Sequence, residues 1–155
     1  EVWILELIGK DYNKLIDLGR RIKQAAVEQF DIIHPFSAGL SFLYGTIFTG
    51  PPLAPHNHSR NVCIFADGEV DRSPTGTGVS ARAAIHYNRG EISPGESLRI
   101  ESILGTTMDV QVKACGKFGN YDAVIPEVSG SAKFVGKNEF FFDPSDPLKD
   151  GFIFR

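Results

Sequence analysis

The stretch that most constrains the fold is GTGVSARAAIHYN, residues 76–88. Ala81, Ala83, Ala84, Ile85 and Tyr87 make it apolar nearly all round, and Arg89-Gly90 supplies a basic last turn and a C-terminal glycine. A helix of that kind is expected to be buried, so the rest of the chain has to cover it. LSFLYGTIF, NVCIFA, SLRIESI, TMDVQVKA, YDAVIPEV, SAKFVG and NEFFFD are short, alternating and rich in β-branched or aromatic residues, and Gly, Pro or Asp bound them. They predict strands. A second, amphipathic helix is predicted over 11–30, with Leu15, Leu18, Ile22, Ala25, Ala26 and Phe30 on one face. The sum is an α+β domain with mixed or antiparallel strands wrapped around a central buried helix, and PPLAPHNHSR as a surface loop.

A chain of 155 residues buries one core, and its 16 glycines and 9 prolines, spread without a repeat, indicate many turns rather than low complexity. The formal charge of -3 and the scattered basic residues give no footprint for nucleic acid or an anionic membrane, and no run reaches the ~20 apolar residues of a membrane span. Cys63 and Cys115 lie far apart and outside any Cys-x-x-Cys pair, so neither a disulfide framework nor a zinc site is expected, and a reduced, cytoplasmic setting fits. No metal or other cofactor is expected. The chain opens inside an apolar stretch, Val2 to Leu5, which leads us to expect a piece of a longer protein.

The loop before the buried helix, DRSPTGTG at 71–78, is where chemistry is expected. Gly76 and Gly78 permit close approach of a ligand, and the first amides of a helix have no intrahelical partner, so a carboxylate or phosphate is favoured there. Asp71 adds a carboxylate for a cationic nitrogen, and an amino or imino acid has that pair of groups. The string Gly76-x-Gly78-x-x-Ala81, with Glu96 about 20 residues on, formally matches a dinucleotide fingerprint. The polar stretch Asp71 to Thr75 separates the strand from the first glycine, and no alternation of parallel strands and helices follows, which argues against it. The plain alternative is a cap in which Ser73 caps and Pro74 takes the first turn. On the loop alone, cap and ligand site carry equal weight.

The segment NVCIFADGEVDRSPTGTGVSARAAIHYNRGEI closely resembles the signature of the proline racemase family, which includes hydroxyproline 2-epimerases and trans-3-hydroxy-L-proline dehydratases. FLYGTIFTGPP before it, and SILGTT, AVIPEVSGSAKFVG, NEFFFDPSDPL and KDGF after it, follow in family order, so the resemblance covers nearly the whole chain. It implies a diaminopimelate-epimerase-like fold of two similar halves, each a strand-built barrel around a central helix, with substrate between the two helix amino ends. By that resemblance residues 1–155 are the second half, and the final strand, about 139–155, crosses over to complete the first. The first half's Cys-Gly-His motif is absent here. Val2, Trp3, Phe141, Phe142, Phe152 and Phe154 are then expected to be partly exposed, and a homodimer is the expected assembly of the full-length protein.

Racemases and epimerases of this family use two cysteines on opposite faces of Cα, and Thr75 fills one of those positions here. A thiol of pKa about 8.5 is readily tuned into a base, whereas an alcohol stays protonated at neutral pH. The resemblance therefore implies a dehydratase acting on trans-3-hydroxy-L-proline, with Asp71 on the ring nitrogen, the Gly76 and Thr77 amides on the carboxylate, and Thr75 on the second face. The alternatives are a racemase or epimerase with an unusual second group, and a non-catalytic amino-acid-binding module. Cys63 and Cys115 read as small hydrophobes, and His86 as a hydrogen-bonded core residue. His56 and His58 lack an evident third metal ligand, and the Asn57-His58-Ser59 sequon is expected to mean little in a chain read as cytoplasmic.

Overall fold

The computed structural model describes residue 7 and residues 9–152. Helix α1 spans Tyr12–Gln29, close to the predicted 11–30, and α2 spans Gly76–Asn88 as predicted. The strands are β1 (Gly45–Gly50), β2 (Ser59–Phe65), β3 (Glu69–Val70), β4 (Ser97–Glu101), β5 (Thr107–Phe118) and β6 (Tyr121–Gly130). They form one sheet in the order β1-β2-β4-β5-β6, with β3 also paired to β2. All pairings are antiparallel except β2 with β4, which run parallel through Ser59↔Ile100 and Arg60↔Glu101. The α2 helix is the crossover of that single parallel pair.

Side-chain alternation along β2 divides the sheet into two faces. Val62 and Ile64 point to one face and pack with Leu15 and Ile103 under α1. Gly19 of α1 has no side chain because Ile64 comes so close: a Cβ there would lie 2.7 Å from the Ile64 Cβ. Farther along α1 the predicted apolar face is uncovered, with Ile22 42% and Phe30 64% exposed. The opposite face carries Leu98, Ile100, Val110 and Val112, which pack with Val79 and Ala83 of α2.

The expectation that α2 is buried all round holds only on its sheet side. Gly78, Val79 and Ala83 are buried, but Ile85 is 48% exposed and Ala81 is in the open. Ser80, Arg82 and His86 interrupt the apolar surface, and each takes a polar partner instead. SAKFVG and NEFFFD are also corrected: no strand follows Gly130 among the described residues, and Phe134, Val135 and Phe140 to Phe142 are exposed. An alternating apolar segment takes strand geometry only when another backbone pairs with it, and no described strand does so here. Phe152 is exposed as expected, while Val2, Trp3 and Phe154 lie outside the described residues.

The proline-rich loop before β2 is tied down more firmly than its polarity suggests. His56 and His58 are exposed, but Asn57 is buried, and the carboxylate of Glu101 at the end of β4 gathers the segment. It accepts the N-H groups of Leu53 (2.7 Å) and Ala54 (2.9 Å), the Asn57 amide (2.7 Å) and the Arg60 guanidinium (3.0 Å). Burial opposes ionisation of Glu101, yet these donors together outweigh it and hold the carboxyl at about 2 rather than 4.5. A folded-state pKa below the unfolded one gives stability that is fully present above pH 4.5 and is lost as pH falls towards 2. Denaturant midpoints should therefore be lower for Glu101→Gln at neutral pH and fall less steeply between pH 4.5 and 2 than in the wild type. Equal slopes would contradict this role for Glu101.

Candidate functional site

The edge of β2 facing the candidate site is only partly covered. Its first two residues pair with β4 and its last two with β3, which leaves Asn61 to Cys63 between them. The loop Asp71–Thr75 crosses that notch, and the Asp71 N-H donates to the Cys63 carbonyl at 3.0 Å.

Thr75 is the N-cap of α2, with φ 70° and ψ 102°. A β-branched residue held at positive φ costs on the order of 1–3 kcal/mol and persists only where its surroundings enforce it. Here they do. The Thr75 N-H donates to Ser73 Oγ (3.0 Å), the Thr75 hydroxyl to Asp71 Oδ2 (2.9 Å), and the Ser73 N-H to Asp71 Oδ1 (2.8 Å). Asn61 Nδ2 donates to the Pro74 carbonyl at 2.9 Å, and the Val79 N-H closes the first helical turn on the Thr75 carbonyl at 2.8 Å.

These bonds correct the plain cap reading. Thr75, not Ser73, occupies the cap, Pro74 precedes it, and the Thr75 side chain makes no capping bond because its hydrogen goes to Asp71. Since the first intrahelical bond is Val79 to Thr75, the Gly76, Thr77 and Gly78 amides lie ahead of it at the positive end of the helix dipole. Nothing lies within 4 Å of where a Gly76 Cβ would stand, so the backbone there is open to a ligand. Gly78 serves packing instead: a Cβ would meet the Ile47 Cδ1 at 2.3 Å.

Asp71, Thr75, Gly76 and Thr77 thus share one lip of the fold, with Asp71 and Thr75 in direct contact. A depression of about 400 Å³ opens beside Asp71, lined by Ser73, Pro74, Thr106 and Lys133 among others. The Thr106 hydroxyl donates to the Arg72 carbonyl at 3.3 Å and braces the loop from the β4–β5 turn.

Cys63 is buried, as its strand position predicts, but it also lies under this site. Burial pushes its thiol up, a hydrogen bond with Thr75 pulls it down, and the Asp71 charge pushes it up again, leaving it above its ordinary value. Cys115 is exposed on β5 beside the Tyr87 hydroxyl. Tyr87 stands about 18 Å along the helix from Thr75, so Cys115 belongs to the other end of α2.

Sequence reasoning missed two residues that hold the loop. Asn61 is fully buried, and Arg82 Nη1 donates both to Asn61 Oδ1 and to Ser59 Oγ at 2.7 Å. His86 is half-buried rather than a core residue; its Nε2 faces Arg82 Nη2 at 3.3 Å and its Nδ1 is bonded to Glu91. The His58 ring stands edge-on to that of His86, and its pKa is lowered by burial first, then by Arg82 and His86. The available signal for Asn61 was a polar residue at the head of the strand run NVCIF. Among the described residues, no group of three or more His, Cys, Asp or Glu side chains could hold a metal ion, and no helix is long and apolar enough to cross a membrane.

Comparison with known proteins places this geometry in a family context. The family profile described as "Proline racemase" matches residues 1–153. A trans-3-hydroxy-L-proline dehydratase of Colwellia psychrerythraea is 51% identical over 151 residues, covering 97% of this chain and 42% of the relative. A 3-hydroxyproline 2-epimerase of Burkholderia multivorans is 42% identical over 143 residues, covering 92% of this chain and 43% of the relative. Among solved structures, a hydroxyproline epimerase from Agrobacterium vitis with bound trans-4-hydroxy-L-proline superimposes with a TM-score of 0.83 at 29% identity, covering 97% of this chain and 43% of that one. The chain therefore spans less than half the length of these relatives. Because the profile runs over residues 1–153 and the fold match covers 97% of the chain, the chain belongs to the proline racemase family.

Proposed function

We propose that this chain is the substrate-binding second half of a cytoplasmic dehydratase that converts trans-3-hydroxy-L-proline to Δ1-pyrroline-2-carboxylate and water. The observation that carries the reading is the Thr75 hydroxyl, whose hydrogen is committed to Asp71. An alcohol so placed orients the carboxylate and offers its lone pairs, but it is a poor proton acceptor towards Cα.

Each oxygen of Asp71 takes one bond from within the loop and keeps a lone pair for the ring nitrogen. The substrate carboxylate sits at the Gly76 and Thr77 amides, which also stabilise the charge that builds on it as the α-proton leaves. In the trans isomer the α-hydrogen and the 3-hydroxyl share a face of the ring. A single acid/base, the cysteine of the first half, takes the proton from Cα as the thiolate and, as the thiol so formed, gives it to the departing hydroxyl. The Cα–H and C3–O bonds break, a Cα=C3 bond forms, and water leaves. The resulting enamine tautomerises to the cyclic imine. No electron is gained or lost, so the balance calls for no redox participant.

The second reading, an epimerase, is favoured by the bound trans-4-hydroxy-L-proline in the Agrobacterium vitis structure and by the name of the Burkholderia multivorans relative. The test compares residues 1–155 alone with the same chain joined to a first half of the family fold, hereafter the joined protein, assembled as a homodimer. Imine should form from trans-3-hydroxy-L-proline with the joined protein and not with this half alone. Epimer without imine would select the second reading, and binding without turnover by the joined protein would leave an amino-acid-binding module.

A further inference from the structure

Thr75 can keep its positive φ only if the peptide before it is held, and that peptide carries the Pro74 carbonyl. The carbonyl is taken by Asn61 Nδ2 at 2.9 Å, from a side chain 0% exposed in the middle of β2. A buried primary amide between Ser59 and Cys63 is costly to desolvate, and here both of its ends are engaged. Arg82, on the second turn of α2, decides which end faces which way. A guanidinium can only donate, so its contact with Asn61 Oδ1 at 2.7 Å requires the amide to turn Nδ2 towards Pro74. Its bond to Ser59 Oγ, also 2.7 Å, fixes the guanidinium to the strand. Helix, strand and loop are thus closed into one ring of hydrogen bonds whose last member is the peptide that aims the start of the helix.

We propose that Asn61 is a positioning residue: oriented by Arg82, it holds the Pro74 carbonyl and thereby keeps Thr75 in its left-handed torsion and the Gly76 and Thr77 amides aimed at the substrate carboxylate. The inference rests on the proposed role of those amides, but its structural core, the pinned loop, can be read without turnover. Asn61→Asp is the most economical variant. It preserves volume and the Arg82 contact while setting an acceptor against the Pro74 carbonyl.

In the joined protein, Asn61→Asp should raise amide hydrogen exchange at residues 75–79 by about tenfold or more, with β5 and β6 unchanged. With trans-3-hydroxy-L-proline as substrate, kcat should fall by about tenfold or more while KM moves less than about threefold, as expected for a contact that matters most in the transition state. Arg82→Lys leaves Asn61 in place but removes the fork that orients it, and should show the same changes to a smaller degree; it carries the test if Asn61→Asp does not fold. Exchange unchanged at 75–79, or raised equally throughout the sheet, would overturn the inference. If the wild-type joined protein forms no imine but exchange responds as stated, the dehydratase reading fails and the pinned loop stands.

Discussion

Thr75→Cys should give the joined protein an α-proton exchange and epimerisation activity that the wild type lacks. The substitution places a thiol at the start of α2, where the helix dipole and the Gly76 and Thr77 amides favour the thiolate. Asp71 works in the other direction, because its negative charge already pushes up the neighbouring Cys63 thiol. The balance still leaves a group that ionises several units below an alcohol. A positioned general base contributes about 10²-fold or more, so epimer formation from hydroxyproline should rise by that order above the wild type. Chiral separation of the recovered amino acid reads it directly. Dehydration unaltered with no epimer would mean that the threonine does not decide the reaction.

Asp71→Asn should weaken imino acid binding by about 10- to 100-fold, the loss expected for a charge-assisted hydrogen bond to a cationic nitrogen. Asparagine is nearly isosteric, and its Oδ1 can keep the bond from either Ser73 or Thr75. The loop can therefore hold its shape while the charge is gone. A carboxylate ligand without the ring nitrogen, such as cyclopentanecarboxylate, separates the two effects, since its affinity should hardly change. An equal loss for both ligands would assign Asp71 to the loop alone, and no loss for the imino acid would remove it from the site.

What could be read in the sequence was mainly local. The bounds of α2 were legible because glycines open it and Arg89-Gly90 closes it, and β2, β4, β5 and β6 followed from alternation between turn residues. Pairing was not legible, because strand period says nothing about partners. The parallel contact of β2 with β4, the two-residue β3 and the absence of strands after Gly130 among the described residues all depend on which edges meet. The helix α2 was judged by its alanines, and the polar reach of Arg82 and His86, which leaves one side uncovered, went unseen.

At the candidate site, the positions singled out in the sequence lie together, but hydrogen-bond directions were not legible. DRSPTGTG pointed to Asp71, Thr75, Gly76 and Thr77, and the fold gathers them at the start of α2. That the Thr75 hydroxyl turns from its own helix to Asp71 follows from its φ of 70°, a consequence of the Asn61 and Ser73 contacts rather than of the motif. Asn61 and Cys63 reach the site because they alternate onto the α2 face of β2, two positions apart, on a strand that reads locally as plain core.

The most direct test of the central claim, that this half serves elimination rather than proton exchange, is the joined protein acting on trans-3-hydroxy-L-proline in D₂O, followed by NMR. The account predicts Δ1-pyrroline-2-carboxylate as the accumulating product, with the recovered substrate keeping its configuration at Cα. Accumulation of the Cα epimer carrying deuterium, without imine, would contradict it.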